Sequence, residues 1–149
     1  MAELSNTTLT TLASELGSAL KARGLMLAMA ESCTGGMTAQ AITSVAGSSE
    51  WFDRGFVTYS NAAKIDMLGV SSETLDKFGA VSEQTASEMA LGALKNSASQ
   101  IAGSITGIAG PDGGTEAKPV GMVCFAWAGQ NFPVSTDTQL FHGNREQIR

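Results

Sequence analysis

Three stretches of this 149-residue chain hold residue types that can make and break bonds. The first, Glu31-Ser-Cys-Thr-Gly-Gly36, stands between a short apolar run and a helix-like segment. Free backbone N–H groups and the positive end of a helix dipole gather at such a junction and stabilise anions. Ser32 there can attack a carbonyl while the following amides hold the developing oxyanion, and Gly35-Gly36 let a substrate approach the backbone closely. The simpler alternative is that Ser32 or Thr34 only caps the helix. The second stretch is Phe56-Val-Thr-Tyr-Ser-Asn-Ala-Ala-Lys64, in which Tyr59 leaves a strand and Lys64 lies on the following helix. A lysine whose pKa is lowered by burial can be the base for a serine, and a tyrosine can relay or orient the proton. Otherwise Lys64 is a solvated helix charge. The third stretch, Gly107-Ile-Ala-Gly-Pro-Asp-Gly-Gly114, follows a strand and either cradles a phosphate or simply turns. It matches neither a Walker A loop nor a dinucleotide fingerprint.

Other chemistries are disfavoured by what the chain lacks. The only histidine is His142, near the chain end, which counts against a Ser-His-Asp triad and, with no CxxC or HxxxH, against a zinc site. Cys33 and Cys124 lie far apart and are expected as reduced thiols. A formal net charge of −5 with no Lys/Arg run makes a nucleic-acid partner unexpected. The longest apolar stretch, Leu25 to Ala30, is far short of the roughly 20 residues of a membrane span. Met1-Ala-Glu-Leu-Ser has neither the basic region nor the apolar block of a secretory leader, so a cytoplasmic location is expected. At 43% hydrophobic and 15% charged residues, the chain holds enough apolar material for one core and too little charge for disorder.

The elements that must position these residues follow from periodicity. Leu9, Leu12, Leu16 and Leu20 predict an amphipathic helix from Thr7 to Arg23, stopped at Gly24. Leu25 to Ala30 reads as a strand buried on both faces, and Met37 to Val45 as a helix. Phe56, Val57 and Tyr59 predict a second strand. Asn61 caps a short helix through Lys64 to Leu68, and Ser71 or Ser72 opens another that ends near Gly79. Ser82 to Asn96 is a longer helix whose buried stripe is Ala86, Met89, Ala90, Ala93 and Leu94. Ile101 to Ile108 is a strand weakened by its glycines, while Val120–Ala128 and Phe132–Phe141 form a hairpin across Gly129-Gln-Asn131. The expected fold is a single α/β domain over residues 1–149, with a mixed sheet, helices on its faces and an antiparallel edge.

Taken in order, Ala30-Glu-Ser-Cys-Thr-Gly-Gly36, Gly47-Ser-Ser with Trp51-Phe, Gly55-Phe-Val-Thr-Tyr-Ser-Asn61, Lys64, Gly79-Ala-Val-Ser82, and Gly107 to Gly114 with Lys118-Pro-Val-Gly121 closely resemble the CinA C-terminal domain family. Within it the resemblance is to the stand-alone nicotinamide mononucleotide deamidases. It implies a three-layer α/β/α sandwich with a mixed, mostly parallel sheet. The implied reaction turns nicotinamide mononucleotide and water into nicotinate mononucleotide and ammonia, in pyridine nucleotide salvage, with no metal or organic cofactor. By the same resemblance Ser32 is the nucleophile, Lys64 its general base, and Tyr59 the third member that orients or shuttles the proton. Backbone amides from Cys33 through Thr34 and Gly35 to Gly36 are the expected oxyanion donors, and Cys33 itself is a small buried hydrophobe rather than a nucleophile.

Thr106 and Gly107 are expected to line the substrate pocket. Arg145 is the expected reader of the 5′-phosphate, since Arg23 ends a helix, Arg54 precedes a strand and Arg149 is terminal. The assembly expected is a homodimer or other homo-oligomer. The additional N-terminal nucleotide-hydrolysing domain of longer members has no room here, so deamidation alone is expected. Asn144-Arg-Glu-Gln-Ile-Arg begins a helix that the family completes, so the final helix is expected to be missing. The competing readings are a serine amidase of another small amide and a non-catalytic competence or damage-inducible interaction protein, which would need no such trio.

Overall fold

A computed structural model describes residues 6–149; Met1 to Ser5, where no leader is expected, lie outside the described residues. The strands β1 (Leu27–Glu31), β2 (Phe52–Val57), β3 (Ile101–Gly107), β4 (Met122–Gly129) and β5 (Phe132–Leu140) form one sheet in the order β2-β1-β3-β4-β5. β1 pairs in parallel with β2 and β3, and β4 runs antiparallel to β3 and β5, so β4 alone points the other way. This is the mixed, mostly parallel sheet with an antiparallel edge hairpin that was expected.

Side-chain alternation along the strands sorts the core into two layers. On one face Leu27, Met29, Ile105 and Val123 meet Leu20 of α1 (Asn6–Ala22), Ile42 of α2 (Met37–Thr43) and Ile148 of α6 (Arg145–Ile148). On the other face the strands present small residues, Ala28, Ala30, Ala102, Cys124, Ala126 and Ala128. These pack against α3 (Asn61–Leu68), α4 (Ser72–Phe78) and α5 (Glu83–Lys95). The alanine surface lets α5 sit close to the sheet, and Ser104 Oγ donates to the Ala86 carbonyl at 2.6 Å. α3 presses equally closely on α5: a Cβ on Gly92 would stand 2.0 Å from the Leu68 carbonyl oxygen.

Three expectations change in register. Of the four leucines of α1 only Leu20 is buried, joined by Ala13 and by Gly17, which lies flat on the Trp51 ring. Leu9, Leu12 and Leu16 are exposed. β1 starts two residues later than expected and takes in Glu31, whose carboxylate finds partners inside the fold. Met26 lies before the ladder, where its N–H donates to the Gln100 side chain. β2 covers Phe52–Val57 rather than reaching Tyr59, and the Thr58 N–H closes it against the Glu31 carbonyl at 2.8 Å.

Candidate active site

The register aligns Glu31 of β1 with Val57 of β2 and with Ile105 of β3, so the carboxyl ends of three adjacent parallel strands lie side by side. Each of the three chemically equipped stretches leaves one of those ends. Open α/β sheets bind their ligands at this edge.

Ser32 is the first residue past β1, 7% exposed, with its N–H donated to the Ile105 carbonyl at 2.9 Å. The chain then turns through Gly35 (φ 58°) and Gly36 (φ 103°), consecutive left-handed residues that only glycine adopts without strain. The Gly35 N–H donates to the Ser32 carbonyl and the Met37 N–H to the Thr34 carbonyl. The Cys33 and Thr34 N–H groups face the Cys33 thiol, and the Gly36 N–H has no backbone acceptor among the described residues.

Lys64 comes from the first turn of α3, whose N-terminus is capped by Ser60 Oγ accepting from the Ala63 N–H at 3.0 Å. Its side chain runs inward and is 1% exposed. Nζ lies 2.9 Å from Ser32 Oγ, 2.8 Å from the Thr58 carbonyl and 3.2 Å from the Tyr59 carbonyl. Burial holds the Lys64 pKa below its ordinary value, against a smaller opposing effect of Cys33. Ser32 Oγ and the two carbonyls thus surround Nζ as its three hydrogen-bond partners. Burial also pushes the Cys33 thiol upward, which suits its place in the core as a free, packed cysteine.

The CinA C-terminal domain family matches residues 9–149. The chain belongs to that family. The nicotinamide-nucleotide amidohydrolase PncC of Enterobacter agglomerans is 59% identical over 135 residues, covering 91% of this chain and 82% of the relative. That of Escherichia coli (strain K12) is 56% identical over 138 residues, covering 93% and 84%. The competence/damage inducible protein CihA from Agrobacterium tumefaciens superposes with a TM-score of 0.91 at 50% identity, covering 94% of this chain and 86% of that one.

In this CinA-family site, Ser32 and Lys64 come together, and Tyr59 joins them differently from expectation. Its carbonyl holds Lys64, whereas the residue is 61% exposed and its hydroxyl accepts from Arg145 at 3.0 Å. Arg145 also donates to the Gly110 carbonyl at 2.6 Å, which joins α6 to the glycine-rich loop. Asn144 and Gln147 form a reciprocal cap that sets α6 there. Thr106 is buried, with its hydroxyl donated to the Ala80 carbonyl at 2.9 Å. Gly107 is packed so tightly that a Cβ would stand 3.1 Å from Cys33 Sγ and 2.8 Å from the Val123 side chain. His142 is exposed on the turn after β5.

Two residues given no role by sequence reasoning hold this site. Arg149 donates from Nε to the Cys33 carbonyl at 3.0 Å, and its guanidinium fills the space a Gly35 side chain would need. Glu31 is 1% exposed, and its carboxylate binds the loop and helix around Ser32. The sequence signal for Glu31 was a charged residue ending an otherwise apolar strand; Arg149 gave none. Among the described residues no cluster of His, Cys, Asp or Glu could hold a metal ion, and no helix is long and apolar enough to cross a membrane.

Proposed function

We propose that this chain is an amidohydrolase that converts nicotinamide mononucleotide and water to nicotinate mononucleotide and ammonia through a Ser32 acyl-enzyme. The observation that carries it is the buried Lys64 amine 2.9 Å from Ser32 Oγ, in a chain 59% identical to a nicotinamide-nucleotide amidohydrolase. Ser32 Oγ attacks the carboxamide carbon while Lys64 takes the hydroxyl proton. Backbone N–H groups of the loop from Cys33 to Gly36 serve as the oxyanion donors in this scheme, each such donor being worth about 10²–10³ in rate. Lys64 then returns the proton to the leaving nitrogen, ammonia departs, and water activated by the same amine cleaves the ester.

Tyr59 completes the set by fixing the amine through its carbonyl, and its hydroxyl stands with Arg145 at the mouth of the site. Arg145 keeps N–H groups beyond the two it donates here and is exposed, which suits it to the substrate's 5′-phosphate. The scheme needs no metal or organic cofactor. A single domain acting in the cytoplasm, as a homodimer or other homo-oligomer, completes the reading.

The test is ammonia release from a panel of nicotinamide mononucleotide, nicotinamide riboside, free nicotinamide and asparagine. The mononucleotide should be preferred by kcat/KM. Preference for a non-pyridine amide would move the same chemistry to another substrate, and no ammonia from any would favour an interaction protein.

A further inference from the structure

The carboxylate of Glu31 does more than end a strand. Its Oε1 accepts from Thr34 Oγ1 at 2.7 Å and from the Thr38 N–H at 2.9 Å, and its Oε2 accepts from the Ala39 N–H at 3.0 Å. These partners lie beyond Ser32: one on the loop, two in the first turn of α2. The residue at the formal start of α2 is Gly36, which has no side chain to cap the helix. Glu31 therefore supplies the cap from the other side of the loop.

A cap needed by α2 alone would sit most simply at position 36, where Ser, Thr, Asp or Asn is the usual choice. Position 36 must instead be glycine, because its φ of 103° carries the sharp turn after Ser32. Moving the cap to Glu31 clasps strand end and helix start together, with the loop 32–36 closed between them. From outside, Arg149 grips the same loop by the Cys33 carbonyl. The Cys33 carbonyl is thereby turned toward Arg149, and the Gly36 N–H keeps no backbone acceptor among the described residues.

We propose that Glu31 is a positioning residue: with Thr34, it fixes the Ser32 loop so that Oγ meets Lys64. This rests on the proposed Ser32 chemistry, since a loop without a nucleophile would gain nothing from such a clasp. Glu31 touches no reacting atom and acts through the loop. In Glu31→Gln one of the two terminal atoms becomes an NH₂ facing an N–H or O–H donor, so at least one of the bonds breaks while the volume stays the same. Thr34→Val removes one bond isosterically, and Thr34→Ser keeps it.

The full chain and these three variants are compared by far-UV circular dichroism and melting, by kcat and KM for ammonia release from nicotinamide mononucleotide, and by the rate at which phenylmethylsulfonyl fluoride labels Ser32. In that labelling the Ser32 Oγ–S bond forms, S–F breaks, fluoride leaves and the hydroxyl proton passes to Lys64. Misplacement by about 1 Å costs about 10²-fold. Glu31→Gln and Thr34→Val should therefore stay folded, keep KM within about threefold, and lose roughly tenfold to a hundredfold in both kcat and labelling rate. Thr34→Ser should restore both. Wild-type kcat and labelling in folded Glu31→Gln or Thr34→Val, or a loss confined to KM or melting temperature, overturns the proposal. If Glu31→Gln does not fold, the Thr34 pair decides alone. Wild-type labelling at Ser32 without ammonia would sink the proposed substrate yet leave the labelling rates to judge Glu31. Neither labelling nor ammonia in the wild type would remove both.

Discussion

Replacing Lys64 by methionine separates its two physical roles, as base and as buried amine. The variant keeps the length and most of the volume of the side chain but offers Ser32 no lone pair. Loss of a general base costs about 10²–10⁴ in kcat, or about 3–5 kcal/mol of transition-state stabilisation. The Thr58 and Tyr59 carbonyls also lose their N–H donors, at about 1–3 kcal/mol for a buried acceptor left unpaired.

Against that loss, the native protein no longer has to keep an amine neutral. The Lys64 pKa is lowered in the fold by desolvation, so between that value and the unfolded value of about 10.4 the unfolded chain binds more protons. Wild-type stability therefore rises with pH across that window and is lost as pH falls through it. Lys64→Met has no such term. Its stability relative to wild type should be most favourable on the acid side of the window and should decline toward pH 10. Wild-type kcat/KM, which needs the free amine, should rise with pH through the depressed Lys64 pKa. Urea unfolding at several pH values and a pH-rate profile read both effects. Lys64→Arg should be as inactive as the methionine variant, because a guanidinium stays charged. Activity within about tenfold of wild type in either variant, or stability curves of wild type and Lys64→Met that run parallel in pH, would refute the reasoning.

Tyr59→Phe removes the hydroxyl paired with Arg145 but leaves the carbonyl that holds Lys64, so kcat should stay within about tenfold of wild type; a loss near that of Lys64→Met would make the hydroxyl a proton relay. Arg145→Ala should lower kcat/KM for the mononucleotide by about ten- to a hundredfold and for the riboside much less, since a charge-assisted contact is worth about 1.5–3 kcal/mol. Equal loss on both substrates would place the phosphate elsewhere. Gly92→Ala would bring a Cβ to 2.0 Å from the Leu68 carbonyl oxygen. Overpacking of about 2–3 kcal/mol should lower the melting temperature by roughly 4–12 °C, and an unchanged melting curve would contradict the close α3–α5 contact.

The sequence made the parallel part of the sheet legible because strand, turn and helix alternate with distinct periods from Leu25 to Gly107. It was less informative where small residues do the packing. The leucines of α1 carry a clear helical stripe, yet the buried contacts fall to Ala13, Gly17 and Leu20, since close approach to Trp51 rewards a missing side chain that no hydropathy pattern marks. Ser32 and Lys64 were legible from the resemblance. Their geometry was not, because a lysine on a helix looks the same in sequence whether solvated or turned inward. The main-chain partners of Lys64 and the grip of Arg149 on the Cys33 carbonyl were beyond reach for a similar reason: both depend on backbone direction at contacts that only the completed fold creates. Glu31 was visible as an anomaly, a carboxylate among apolar neighbours, and its partners lie only three to eight residues further on.

The central claim is that Ser32 forms a covalent bond to the substrate's carbonyl. Wild type and Ser32→Ala, quenched in acid during turnover of nicotinamide mononucleotide, can be compared by peptide mass spectrometry with ammonia measured in parallel. The account predicts a nicotinoyl-nucleotide adduct on the peptide bearing Ser32 in the wild type, and neither adduct nor ammonia in Ser32→Ala. Ammonia release by Ser32→Ala at the wild-type rate, or an adduct on Cys33 in place of Ser32, would contradict it.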